Sequence, residues 1–216
     1  QANYLVGEGS QIATTIAARD EPRNLRYVLS WGANPSSAQI FVSAAPGGDS
    51  SFLQTIAWDA TARKYNFYEL REQVGLGNGT SPKVWSWAGE SAMAQATATM
   101  GHGCFDCHHN GVGIMKELNS PWNNWQSQQA TISPLVVPLV VAQEKFFGNL
   151  NGAEVLEKAI RSGFLTYYRG WLGARYQSQG NTVRLTDVDL MLRRLTTNTT
   201  VNFTALSVVM RYSSSN

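Results

Sequence analysis

Both cysteines and all three histidines of this 216-residue chain fall between His102 and His109, inside the stretch Gly101-His-Gly-Cys-Phe-Asp-Cys-His-His-Asn-Gly111. No other feature limits the fold as much. A disulfide closed across two intervening residues is strained, so the chain has no covalent staple between distant segments. A hydrophobic core must hold it together, and the length is ample for one large domain or two small ones. That core has to be built around a single mid-chain segment carrying every soft metal-binding side chain.

Cys104-Phe105-Asp106-Cys107-His108 has the form C-x-x-C-H, the pattern for covalent attachment of a c-type haem. The spacing has a chemical reason. Each thiol adds to one porphyrin vinyl as a thioether, and two intervening residues let both thiols reach the vinyl-bearing edge. His108 follows at once and offers a neutral imidazole to the iron as proximal ligand. Two other chemistries use the same residue types. A thioredoxin-like dithiol would sit after a strand at a helix start, whereas glycines 101, 103, 111 and 113 surround this motif. A structural zinc site usually draws ligand pairs from two separated stretches, and here every candidate lies in one.

The sixth iron position is read from the remaining histidines and methionines. His109 adjoins the proximal ligand and His102 precedes the first anchor by two residues. Neither reaches the opposite face of the same ring easily, so each is a candidate ligand for a neighbouring chain's haem or a hydrogen-bonding group. Met191 and Met210 lie in apolar patterns and read as core fillers. Met115 lies seven residues past His108, and an extended reach of about 3.3–3.6 Å per residue can carry it round the ring edge. Met100 approaches from the other side of the anchors. Phe105, Trp122 and Trp125 are the aromatic candidates for a haem pocket wall, with Trp85 and Trp87 further upstream.

Residues 27 to 90 read as strands rich in β-branched and aromatic residues. They are Tyr27–Trp31, Gln39–Ser43, Phe52–Trp58, Lys64–Leu70 and Lys83–Ala88, with Asp59 to Arg63 as a hairpin connection. The stretch from Glu90 to Met100 is compatible with a short helix or an extended segment. Downstream, apolar spacing at Val155, Leu156, Ala159 and Ile160 predicts a helix over 152–162 that stops at Gly163. Thr186 with Asp189 resembles a capping box opening a helix to Leu195. A short helix is expected over 115–118. The fold class expected is α+β: an antiparallel β-rich N-terminal half, then a mainly α-helical C-terminal half, with the haem c peptide at the junction. In residue ranges this gives an N-terminal extension 1–26, a β-rich region 27–98 and a haem-binding helical region 99–216, readable also as one continuous domain.

Composition narrows the function. Formal net charge is +2 and charged residues make up 15% of the chain. No basic footprint is present of the kind that neutralises phosphates, which argues against nucleic acid. Neutral polar residues dominate the solvated surface, as is common in exported proteins. The chain opens on Gln1 without a basic n-region and apolar h-region, and is read as mature and processed. The most apolar run, Ile132 to Ala142, holds two prolines and is shorter than the ~20 residues of a membrane span.

From Gly101 to Gly111 the chain resembles the c-type cytochromes, and monohaem ones because the motif occurs once. That resemblance implies one covalent haem c, attachment outside the cytoplasm in a periplasmic or extracellular setting, and one-electron transfer. Its partners would be redox proteins, within an oligomer or an extracellular electron-transfer assembly. In small class I cytochromes the motif lies near the N-terminus, whereas here it begins at residue 104 of 216. A β-rich unit ahead of a single motif is also similar to oxidases whose c-type haem is cross-linked to a lysine. This second resemblance implies a catalytic haem with Lys64 or Lys83 as the cross-linking residue. A peroxidase-like enzyme would need a distal acid or base, with Glu90, Glu117 and Arg71 available. A haem-based gas or redox sensor is a further alternative. The reading that leads is an electron-transfer protein rather than a catalyst.

Overall fold

The computed structural model describes residues 1–7, 25–33, 38–45, 53–73, 82–113, 118, 122, 125–128, 131–132 and 137–192; within the motif, the side chains of Asp106 and Cys107 are outside that description. Met115, Glu117, Asn123, Asn124, Met210 and the tail beyond residue 192 lie outside the described residues.

Six strands form one antiparallel sheet in sequence order. They are β1 (Ala2–Gly7), β2 (Leu25–Gly32), β3 (Ala38–Ala44), β4 (Leu53–Asp59), β5 (Lys64–Glu72) and β6 (Lys83–Glu90). The expected strands are all present, and β4 and β5 join through the expected turn, where Asp59 Oδ1 accepts the amides of Thr61 and Ala62 at 2.9 Å each. The stretch read as an extension supplies β1, which pairs with β2 from Ala2↔Ser30 to Gly7↔Leu25.

Side chains alternate between the two faces of a strand, and this sorts the core into two layers. One face carries Tyr4, Val6, Phe41, Tyr65 and Phe67, packed with Cys104, Phe105, Leu156 and Ile160. The opposite face carries Leu5, Leu25 and Tyr27 at the β1–β2 end, covered by Ile132, Val137 and Val141. Val141 belongs to the short helix α2 (Leu139–Ala142), which opens directly after Pro138. The outer edge of β1 is covered too. Gln126 donates its amide to the Leu5 carbonyl at 2.9 Å, and Asn151 to that of Asn3 at 2.7 Å.

The long helix α3 (Ala153–Gly173) buries Ala153, Leu156, Ile160 and Tyr167 along one face, a 3–4–7 spacing that makes a single apolar stripe. Gly163 was expected to end it, yet the helix runs ten residues further. A Cβ at Gly163 would collide with the Tyr65 hydroxyl, so the glycine is a close-approach site between α3 and β5 rather than a terminus. The fold is α+β as expected, with a helical C-terminal part that also carries two strands. β7 (Tyr176–Gln179) and β8 (Thr182–Leu185) form an exposed hairpin. Thr186 does not cap a helix: its hydroxyl and amide both donate to the Arg175 carbonyl, and the helical turn begins at residue 188. The segment after β6, left open by its sequence, is a 3₁₀ helix over Ser91–Gln95 followed by turns.

Candidate haem site

The motif forms one helical turn, α1 (Cys104–Cys107), entered from Gly103 and left through His108. The amide of His108 donates to the Cys104 carbonyl at 3.0 Å, which puts the first cysteine and the histidine on consecutive turns of the same coil. Phe105 is the anchor. It is 2% exposed, meets Phe67 edge-on at 5.2 Å between ring centroids, and occupies the space a Cβ of Gly89 would need. β6 therefore needs glycine there to let the motif approach the sheet.

A second clamp follows. Gly111 has φ +70°, and a Cβ on it would collide with the Ser91 carbonyl. The Ser91 hydroxyl in turn accepts the Tyr65 amide of β5 at 2.8 Å. Asn110 folds its side chain onto the next turn, where Oδ1 accepts the Val112 amide at 3.1 Å.

His108 is buried, and its Nδ1 lies 3.0 Å from the Val112 carbonyl oxygen. A carbonyl can only accept, so Nδ1 carries the hydrogen and Nε2 keeps its lone pair. Burial drives the His108 pKa down to about 4; the charges of Arg26 and His109 push the same way, and the Val112 hydrogen bond opposes them. At neutral pH the ring is thus an uncharged imidazole with a fixed tautomer, the form in which histidine binds a metal.

His108 and Cys104 line one cleft between the sheet and α3. It holds about 640 Å³ of space including its open mouth, and its walls include Val28, Phe41, Ile56, Phe67, Leu118, Leu156 and Ile160. Trp125 also lines the cleft. It is 2% exposed, and its Nε1–H has no hydrogen-bond partner among the described residues. An orphaned buried donor costs about 1–3 kcal/mol unless something accepts from it.

These features fit a c-type haem: Cys104 and a neutral imidazole line the same apolar cleft, Cys107 belongs to the same helical turn as Cys104, and a donor in the wall lacks an acceptor among the described residues.

Other expected site residues lie elsewhere. Trp122 donates to Glu157 Oε2 at 2.8 Å and lies outside the cleft wall. Met100 is 42% exposed in the turn before α1, and His102 is exposed beside it. His109 is half-buried, with its carbonyl accepting from Gln95 Nε2 at 2.6 Å. Trp85 and Trp87 stand half exposed on β6. Lys64 pairs with Glu90 and Lys83 is exposed, so neither lysine lines the cleft. The only Arg or Lys among its described lining residues is Arg26. Among the described residues, no three His, Cys, Asp or Glu side chains converge as a cation site.

Arg26 and Val112 were not singled out from sequence, and Leu156 and Ile160 were read only as the apolar face of a helix. Arg26 sits in an ordinary alternating strand, and Val112 contributes only its backbone. No helix of the described chain is long and apolar enough to cross a membrane. Compared with known proteins, the chain matches no family model, no curated protein and no solved structure.

Proposed function

We propose that this chain is an exported monohaem c-type cytochrome that carries one electron at a time through a covalently attached haem. The observation that supports it most is His108: buried, uncharged, and oriented by Val112 so that Nε2 is free at a cleft that Cys104 also lines. The haem, when bound, supplies the one-electron iron couple.

The chain's own residues would do the rest. Cys104 and Cys107 hold the vinyl edge, and His108 ligates iron. Val112 fixes the tautomer and raises the basicity of the ligand through its carbonyl. Val28, Ile56, Phe67, Leu156 and Ile160 exclude water and lower the local dielectric, which tunes the potential. Redox proteins of the extracytoplasmic space are the proposed partners.

A second reading keeps the same haem but leaves its sixth position open to a small ligand, as in a haem enzyme or gas sensor. One observation favours it: His108 is the only His or Met among the described residues lining the cleft. Redox titration of the haem-loaded protein with and without carbon monoxide tests both readings. A reversible one-electron wave with a reduced spectrum indifferent to carbon monoxide supports electron transfer with two protein ligands. Immediate carbon monoxide binding supports the open site. The absence of a reversible one-electron couple would sink the cytochrome reading.

A further inference from the structure

The sheet wall of the cleft is not uniformly apolar, and its polarity is sorted by register. Phe41, Ile56 and Phe67 are cross-strand partners and form an apolar row across β3, β4 and β5. The next row on the same face is Val28, Ser43 and Gln54. Arg26 lies one further step along β2 on that face. Beside it, Val6 pairs with Arg26 on one side and bridges to Trp125 on the other. A single register row therefore reads Trp125, Val6, Arg26. Both outer members line the cleft, as do Ser43 and Gln54.

This polar corner lies on the β1–β2 side of the cleft. The motif contacts β5 through Phe67, which meets both Phe105 and His108, whereas Arg26 is on β2. Three inter-strand spacings, about 14–15 Å, separate β2 from β5. A cation and a buried N–H with no acceptor among the described residues, at one corner of an apolar cleft, form a site for carboxylate. In a haem the propionates leave the ring on the side away from the vinyl groups.

We propose that Arg26 and the Trp125 Nε1–H bind the propionate carboxylates of the haem, with Ser43 and Gln54 beside them, so that the acid edge of the ring points to the β1–β2 corner and its vinyl edge to α1. This rests on the haem reading above. It assigns Arg26 and Trp125 as positioning residues that set the ring's orientation, and it supplies the acceptor that the Trp125 indole lacks. Arg26 offers a planar fork matched to carboxylate geometry, and its charge would offset the propionate charge near the iron.

The test is the midpoint potential of the haem-loaded protein in Arg26→Gln, Arg26→Lys and Trp125→Phe, with Lys83→Gln on exposed β6 as the control for loss of a remote charge. Covalent attachment keeps the haem in place in all of them. The proposal expects Arg26→Gln to lower the potential clearly more than Lys83→Gln, because a cation that opposes the ferric state is gone. Arg26→Lys should retain much of the wild-type value, and Trp125→Phe should lower it. If Arg26→Gln is not recovered folded, Trp125→Phe decides alone. Shifts in Arg26→Gln and Trp125→Phe no larger than the control overturn the proposal. So does an Arg26→Gln protein whose potential is unchanged while its ferric haem binds azide more weakly, since Arg26 would then stand beside the iron rather than at the acid edge. A wild-type chain that carries no covalent haem is a different result, and it removes the haem reading itself.

Discussion

The Nδ1 of His108 and the carbonyl oxygen of Val112 lie 3.0 Å apart, and the side chain of Asn110 holds the Val112 amide from within the same turn. The candidate iron ligand is thus aimed by four residues of local chain. Replacing Asn110 with Ala leaves the buried Val112 amide without that acceptor, a cost of about 1–3 kcal/mol. Urea denaturation of wild type and Asn110→Ala measures it. An unchanged midpoint would mean that the turn holds without the side chain.

The haem-free chain should weaken in acid through His108. Burial above all, with the Arg26 and His109 charges adding and the Val112 bond opposing, sets the folded pKa at about 4 against 6.5 for an ordinary histidine. The folded value is the lower one, so the unfolded chain takes up its proton first as pH falls. The contribution is complete above the unfolded value and is lost progressively down to about 4, amounting to roughly 3 kcal/mol. Urea midpoints of haem-free protein between pH 7.5 and 4 should decline through that window, and His108→Gln should flatten the decline. Parallel profiles for the two proteins would contradict the assignment.

Two glycines flanking the motif separate backbone strain from collision. Gly101 has φ +74° with open space around its Cβ direction, so Gly101→Ala should cost only the left-handed penalty of about 1–2 kcal/mol. Gly111 has φ +70° and faces the Ser91 carbonyl, so Gly111→Ala should cost that amount plus about 1–3 kcal/mol of overpacking. Thermal unfolding of the two variants ranks them, and equal losses would show that the Ser91 clamp yields easily.

Gly163 gives a test of sign. In an exposed helix interior, Gly→Ala stabilises by about 1 kcal/mol. Here the added methyl would meet the Tyr65 hydroxyl, so Gly163→Ala should destabilise instead, by about 1–3 kcal/mol. Combining it with Tyr65→Phe removes the obstructing oxygen and should recover part of the loss. A stabilising Gly163→Ala would mean that α3 shifts away from β5 at little cost.

The same residues show what could be read from sequence. β5 was legible because alternating burial at the start of Lys64–Glu72 leaves a period of two in the side chains. β1 was not, since Tyr4, Leu5 and Val6 are all buried, on both faces of the sheet, and the alternation vanishes. Gly163 looked like a helix stop because a glycine at a terminus and a glycine at a tight crossing are the same letter; only the tertiary neighbour Tyr65 tells them apart. The β7–β8 hairpin turns through Gly180 at φ +60°, a Gly-Asn turn signal, but its exposed strands carry no apolar pattern to frame it.

At the site, Cys104 and His108 were visible because their chemistry is encoded in side chains at close spacing. Val112 was invisible because it acts through a carbonyl that every residue has. Trp125 was visible as an aromatic close to the motif, whereas Arg26 was not: the register of β1 is what brings residues 26 and 125 to either side of Val6.

The central claim is tested most directly by asking whether the chain holds haem through covalent bonds. The protein would be expressed in cells with a working extracytoplasmic haem-attachment system, denatured, extracted with acidified acetone, and its reduced spectrum recorded in alkaline pyridine. The account predicts one haem per chain that stays with the polypeptide and gives a c-type spectrum, and that is lost in Cys104→Ala, Cys107→Ala. A wild-type chain that emerges with no haem absorbance, or with haem that extracts freely, contradicts it.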